Sequence, residues 1–342
     1  MMGFFDKDEK ELGTNKNFKY LDDLIHCGEK EIILDLDIVL DKNEIGKYKD
    51  GIKLDIDDLI IDGNGHAIDA KRETRIFNCA GKNIIVKNII LKNGFIKGNG
   101  GAIENNGSLT VTDSTLTANT AIYSGGAIYN TGELTIAGST FTGNTVQVEY
   151  GDGGAIYNTA GRLTITESTL TGNTARSGGA IYNTAGRLTI TESTLTGNMA
   201  RFGGAIHNRH GNLTVTGSTL ADNTAERRGG AIKNYGAVLT ITESALTGNT
   251  TQKDGGAIKS VGVLHITAST LTGNAAGEDG GAIHNRLILS ITDSTLTGNT
   301  ANHDGGAIHI INKKYFNIKN CKLENNEPND VGNKKDMNRY RR

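Results

Sequence analysis

The tetrapeptide Gly-Gly-Ala-Ile occurs nine times, beginning at residues 100, 125, 153, 178, 203, 229, 255, 280 and 305. Successive copies stand 25, 28, 25, 25, 26, 26, 25 and 25 residues apart. A period of that length means one supersecondary unit stacked on copies of itself. Residues 153–176 and 178–201 differ only where Thr174 becomes Met199. A chain built by copying carries most of its information in the repeat and little in any single residue.

The repeat overrides what length would suggest. A chain of 342 residues has room for two or three ordinary domains, but a solenoid grows along one axis with a continuous core. Its 46 glycines stand in register with Leu, Ile and Thr and come with a single proline, Pro328, which reads as repeated turns rather than disorder. The net charge of −2 gives no global attraction to nucleic acid or acidic lipid. Cys27, Cys79 and Cys321 lie far apart, with neither metal-ligand spacing nor a disulfide framework. The N-terminus shows no apolar run of a secretory signal, and no apolar stretch is long enough to span a membrane as a helix.

One unit, residues 153–177, divides into three strand-like pieces: 155–158, 163–166 and 168–171. Each alternates with period 2 and is rich in β-branched residues. Thr159-Ala160-Gly161, Glu167 and Gly172-Asn173 supply the turns between them. Glycine and threonine leave no helical apolar stripe. Three short strands and their turns predict one coil of a parallel β-helix, each coil hydrogen-bonded to the next. Ile156, Leu163, Ile165 and Leu170 are predicted to face the interior, and alternation points Tyr157 and Tyr182 outward.

Two asparagine columns fit this stack. One runs through Asn93, Asn119, Asn144, Asn173, Asn198, Asn223, Asn249, Asn274, Asn299 and Asn325. The other runs through Asn105, Asn130, Asn158, Asn183, Asn208, Asn234 and Asn285, broken at Ser260 and Ile310. Asparagine tolerates left-handed turns, and stacked amides bond along the axis. The glycine pair supplies a positive φ or a close approach between coils.

Four segments are predicted. Residues 1–30 form an N-terminal segment in which Phe18, Leu21, Leu24 and Ile25 make a short capping helix over the open core. Residues 31–97 form about three introductory coils. Residues 98–326 carry the Gly-Gly-Ala-Ile coils, with 313–326 as a last degenerate one. Residues 327–342 are a polar tail. The fold expected is all-β, a right-handed parallel β-helix of about 13 coils and about 60 Å.

Gly-Gly-Ala-Ile combined with Phe or Leu-x-x-Asn, as in Phe141–Asn144 and Leu170–Asn173, resembles the repeat of polymorphic outer-membrane proteins. Ile61-Asp62-Gly63-Asn64-Gly65-His66 resembles the opening coils of adhesin-like proteins with a pectate-lyase-type right-handed β-helix. The likeness covers roughly residues 30–326. It implies surface display and adhesion, while the absence of a visible signal peptide, membrane anchor or C-terminal barrel leaves the compartment open. Fold alone does not fix function.

Chemistry on such a fold is expected on outward columns. The residue after each Gly-Gly-Ala-Ile runs Glu104, Tyr129, Tyr157, Tyr182, His207, Lys233, Lys259, His284 and His309. The residue before it runs Asn99, Ser124, Asp152, Ser177, Phe202, Arg228, Asp254, Asp279 and Asp304. Asp254, Asp279, Asp304, His284 and His309, with His303 nearby, are therefore the catalytic candidates. Stacked carboxylates raise one another's pKa, which suits acid–base work on a glycosidic bond. Solvated decoration is the favoured reading of that cluster. A metal set of Asp279, His284, Asp304 and His309 is the least favoured, and no metal or cofactor is expected.

Two further surfaces stand out. Tyr129, Tyr157 and Tyr182, flanked by Arg176 and Arg201, form the candidate binding column for a sugar or partner protein. Threonine pairs such as Thr164/Thr166 and Thr189/Thr191 resemble the ranks of ice-binding proteins, although Ala137, His265 and Ser290 interrupt them. The reading is a non-enzymatic, adhesin-like protein that binds a glycan or cell-surface ligand and no nucleic acid. Alternatives are a polysaccharide lyase or glycoside hydrolase and, less favoured, an ice-binding protein. Near-identical coils argue against catalysis, which needs unlike groups converging at one place.

Overall fold

The computed structural model describes residues 15–333 apart from 148, 150, 160 and 237. Within them the chain winds as a right-handed-type parallel β-solenoid of about 12 turns, with helix confined to one short N-terminal segment. The coil of residues 153–177 shows the plan. Strands Ile156–Asn158, Leu163–Thr166, Thr169–Thr171 and Thr174–Ser177 contribute to four different sheets, called I, II, III and IV. Among the described residues these sheets hold 12, 12, 13 and 9 strands. The fourth strand is additional to the three expected. In most coils it is a pair such as Thr120–Ala121, too short to show alternation.

Pairing is parallel and in register, apart from a shift on sheet IV where Ala200 faces Ala225 but Phe202 faces Arg228. Ile156, Leu163 and Leu170 stand opposite Ile181, Leu188 and Leu195 in the next coil. Ile156, Leu163, Ile165 and Leu170 are fully buried, as are their counterparts in the next coil. Each such side chain contributes about 1.5–3 kcal/mol of gross hydrophobic stabilisation. The coil count is about 12 rather than 13 because the segment 313–326 does not make a coil of its own. Phe316–Lys319 and Lys322–Glu324 are the sheet II and sheet III strands of the coil begun by Ile308–Ile310. Pairing then continues beyond 326, where Val331–Gly332 joins Ile308–Ile310.

The corners explain the glycines and asparagines. Gly153 has φ 70°, and a Cβ there would lie 2.4 Å from the carbonyl oxygen of Ile156. A Cβ on Gly154 would lie 2.1 Å from the carbonyl oxygen of Gly179 in the next coil. The first glycine thus needs its conformation and the second its missing side chain. Between sheets II and III a single left-handed residue turns the chain, as at Glu167 with φ 47°.

Between sheets III and IV lies the first asparagine ladder. Asn173 Oδ1 accepts from the backbone N–H and Nδ2 of Asn144, while Asn173 Nδ2 donates to Phe141 O and Asn198 Oδ1. Its two ends differ from the sequence reading by one residue. Gly94 and Asn326 occupy the ladder positions: Gly94 N donates to Asn119 Oδ1, and Asn326 Oδ1 accepts from Asn299. Asn93 and Asn325 instead take the preceding left-handed position, at φ 56° and 54°.

A serine ladder runs beside the asparagine ladder, at the corner between sheets II and III. Ser168 N donates to Ser193 Oγ, and Ser168 Oγ to the carbonyl of Thr166, a pattern that recurs in neighbouring coils. The invariant Ser before each Thr-Leu or Ala-Leu pair was its only signal.

The helix Phe18–Ile25 closes one end of the core, with Phe18, Leu21 and Ile25 fully buried. Leu24 is partly buried against the same cluster. Asn17 caps it by accepting from Tyr20 N–H at 3.0 Å. The buried carboxylate of Glu44 accepts the N–H groups of Phe18 and Lys19 at 3.2 and 2.8 Å, donors that a helix start leaves without intrahelical partners, and also that of Asp41 at 3.1 Å. Residues 1–14 and 334–342 lie outside the described residues, as do the parts of the expected N-terminal segment and polar tail that fall there.

Candidate functional site

The sharp Gly-Gly corner decides where chemistry collects. The residue before the pair lies over the outer face of sheet I, against the residue that follows Gly-Gly-Ala-Ile. Parallel bridges stack these outer positions: Ser124 with Asp152, Asp152 with Ser177, Arg228 with Asp254, and Asp279 with Asp304. A second, polar layer is therefore enclosed along sheet I. Its members point away from the apolar core, as alternation required, yet several are shielded from solvent. Tyr182, His207, Lys233, Lys259, His284 and His309 are only 1–7% exposed. Reading them as solvent-facing columns is corrected by this overlying strap.

Three segments follow one another along the layer. At its start, Arg75 Nη1 pairs with Glu104 at 2.6 Å, while Arg75 Nε donates to the carbonyl of Gly100. Tyr129, Tyr157 and Tyr182 then stack, with ring centroids 5.2 and 5.1 Å apart, and His207 meets Tyr182 edge-on at 5.0 Å. Tyr129 and Tyr157 are half-buried and Tyr182 is buried. Burial, reinforced by Tyr182 and Asp152, pushes the Tyr157 phenol up to about 12. Burial likewise raises the Asp152 carboxyl and drives the His207 imidazole well below its ordinary value.

Lys233 forms the middle. Its ammonium lies 3.7 Å from the Phe202 ring centroid and 4.8 Å from that of Tyr235. Burial, then the charges of Arg228 and Arg176, lower it to about 7; Asp152 acts in the opposite direction. A lysine whose folded pKa lies below its unfolded value binds fewer protons when folded. Its contribution therefore makes stability rise with pH between about 7 and 10.5. Lys233→Met should remove that contribution. Its gain over wild type in urea melts should be larger near pH 7 than near pH 9.5, whereas a gain independent of pH would show that Lys233 does not titrate in this window.

The far end gathers the acidic and histidine candidates. Asp254 pairs with Lys259 at 3.1 Å and Arg228 at 3.3 Å. Lys259 Nζ also lies 2.7 Å from His284 Nδ1. The His284 and His309 rings stand 4.7 Å apart. His309 Nε2 lies 3.8 Å from Asp304, and Asn329 Nδ2 donates to Asp304 at 3.1 Å. One ligating atom each from Asp279, His284 and His309 falls within 4.8 Å of the others. His303 is exposed on the strap. Asp254, Asp304, His284 and His309, the low-ranked acid–base candidates, are all at most 6% exposed, which leaves a sugar polymer little access to them.

Arg176 and Arg201 lie elsewhere than the tyrosine rings. They line an open groove of about 590 Å³ along sheet IV, together with Glu149, Glu226, Arg227 and Lys253. Arg176 is close enough to Tyr182 and Asp152 to act on both electrostatically. The candidate binding set thus divides between a groove wall and the stacked layer. The threonine ranks align as read: Thr164, Thr189, Thr214 and Thr240 are in register on sheet II. Sheet III carries a second pair of threonine ranks, with Thr169 and Thr171 opposite Thr194 and Thr196.

These features define a parallel β-solenoid repeat protein with an apolar core and a polar side layer. Three stretches of it, residues 138–159, 167–184 and 293–311, match the Chlamydia polymorphic membrane protein repeat. Each matched stretch runs from the turn before the Phe or Leu-x-x-Asn strand through the Gly-Gly corner, the part of the coil that builds both the asparagine ladder and the polar layer. No curated protein matches the chain. Among the described residues, no helix is long and apolar enough to cross a membrane.

Proposed function

We propose that the protein is a non-enzymatic, adhesin-like surface protein that binds a glycan or other cell-surface polymer. The observation supporting this most is the groove along sheet IV, which spans successive coils and carries Arg176, Arg201, Arg227 and Lys253 against Glu149 and Glu226. Guanidinium groups at regular spacing suit a carboxylate-bearing or hydroxyl-rich chain, because each offers a planar fork of donors. Of the stacked tyrosines, Tyr182 is close enough to Arg176 to feel its charge.

Many weak contacts in a row predict a distinctive dose response. Arg176→Ala or Arg201→Ala alone should weaken binding to immobilised cell envelopes or acidic glycans by about 3-fold or less. The combined Arg176, Arg201, Arg227 and Lys253 alanine variant should lose more than about 30-fold, because linked contacts multiply. Unchanged affinity in the combined variant would remove the groove as the contact surface. Melting curves on the same variants check that the fold is intact.

A further inference from the structure

We propose that the last two Gly-Gly-Ala-Ile coils form a binding site for one transition-metal dication of the Zn²⁺ class, ligated by Asp279, His284 and His309. The sequence Asp-Gly-Gly-Ala-Ile-His occurs at 279–284 and again at 304–309. Among the nine repeats, these alone have aspartate before the glycine pair and histidine after Ile. The corner folds each aspartate back toward its own histidine. The register Ile283–Ile308 and His284–His309 stacks one coil on the other. Two chemically matched corners are thus superposed.

The three ligating atoms already converge within 4.8 Å. Tetrahedral Zn²⁺ with bonds of about 2.0–2.1 Å needs ligand atoms about 3.3 Å apart, a gap that small side-chain rotations close. Two imidazoles and a carboxylate favour Zn²⁺, Ni²⁺ or Cu²⁺ over Ca²⁺ or Mg²⁺, which take oxygen ligands. His284 and His309 are 1% and 4% exposed, so their rings are held by packing before any ion arrives.

The surroundings orient the ligands. Asp304, itself bonded by Asn329, lies 3.8 Å from His309 Nε2, beyond a hydrogen bond but on the side from which a carboxylate orients a metal-bound imidazole once the two draw together. Lys259 Nζ lies 2.7 Å from His284 Nδ1, so His284 would ligate through Nε2 with Nδ1–H donating to Lys259 as an uncharged amine, which itself donates to Asp254 at 3.1 Å. The preceding coil supplies an internal contrast. It has Asp254 but Lys259 where the next two have histidine, so the ligand set ends there.

The test uses the full chain, stripped with chelator and titrated with ZnCl₂ by calorimetry, with CoCl₂ as a spectroscopic probe. We expect about one equivalent bound, a raised melting temperature, and an intense visible Co²⁺ spectrum of the four- or five-coordinate type. The double variant His284→Gln/His309→Gln should bind at least 100-fold more weakly. His210→Gln/His265→Gln, which alters exposed histidines elsewhere, should bind as wild type does. Asp279→Asn should weaken binding and change the Co²⁺ spectrum; because Asp279 is only partly buried, it serves if the double variant does not fold. Absence of stoichiometric binding, a pale six-coordinate Co²⁺ spectrum, or loss of binding in the exposed-histidine variant instead would overturn the proposal.

Discussion

Ile181→Asp is expected to cost about 4 kcal/mol or more, because it places a carboxylate without a partner in a dry apolar column. Ile181 is fully buried between Ile156 and Ile206 on the neighbouring strands of sheet I. Tyr182→Asp, one residue on, should cost about 1.5–3 kcal/mol. That exceeds the small loss that alternation alone implies, because Tyr182 is 4% exposed and stacks between Tyr157 and His207. The new carboxylate would still stand near Arg176, which moderates the loss. Thermal melts combined with hydrogen exchange check both variants, since repeat arrays can open locally. Equal losses would mean that the core and the side layer are not distinct environments.

Asn198→Leu should destabilise by about 3–5 kcal/mol, comparable to a core cavity. Asn198 Oδ1 accepts from Asn173 N and Nδ2, both at 3.0 Å, and Asn198 Nδ2 donates to Leu170 O and Asn223 Oδ1. Leucine would leave buried donors on the neighbouring coil without an acceptor, and that loss decides the sign. Asn285→Val is the opposite case. Both polar side-chain atoms of Asn285 are buried without a hydrogen-bond partner among the described residues, with Ser260 on one side and Ile310 on the other. Removing that amide should be neutral or stabilise by up to about 1 kcal/mol. If chemical denaturation ranks the two asparagine variants alike, ladder hydrogen bonding is not what holds these corners.

The core and most of the strands were legible because they are local and repeated. Ile156, Leu163, Ile165 and Leu170 recur at fixed spacing, and periodicity is the physical signature of a shared face. Sheet IV was not legible, since two residues such as Thr120–Ala121 carry no alternation. The asparagine ladder was misphased only at its ends, where Asn93-Gly94 and Asn325-Asn326 depart from the usual Gly-Asn order. The enclosure of Tyr182, His284 and His309 was hidden for a different reason. Alternation tells which side of a strand a residue takes, but not whether another segment covers that side. The nearness of Asp279 to His284 depends on the same Gly-Gly corner, which spacing along the chain does not reveal.

The register of neighbouring coils has an evolutionary consequence. The coils 153–177 and 178–201 meet each other through four in-register strand pairings and through the ladders. Duplicating or deleting one 25-residue unit between identical copies would create no new kind of contact, because a solenoid's stability is nearly a sum over adjacent units. Each such event would lengthen or shorten the rod by about 4.8 Å while leaving the helical cap and the paired Asp-Gly-Gly-Ala-Ile-His coils intact. Unequal recombination could therefore adjust how far these two ends stand apart in discrete steps, a form of variation that ordinary globular domains do not tolerate.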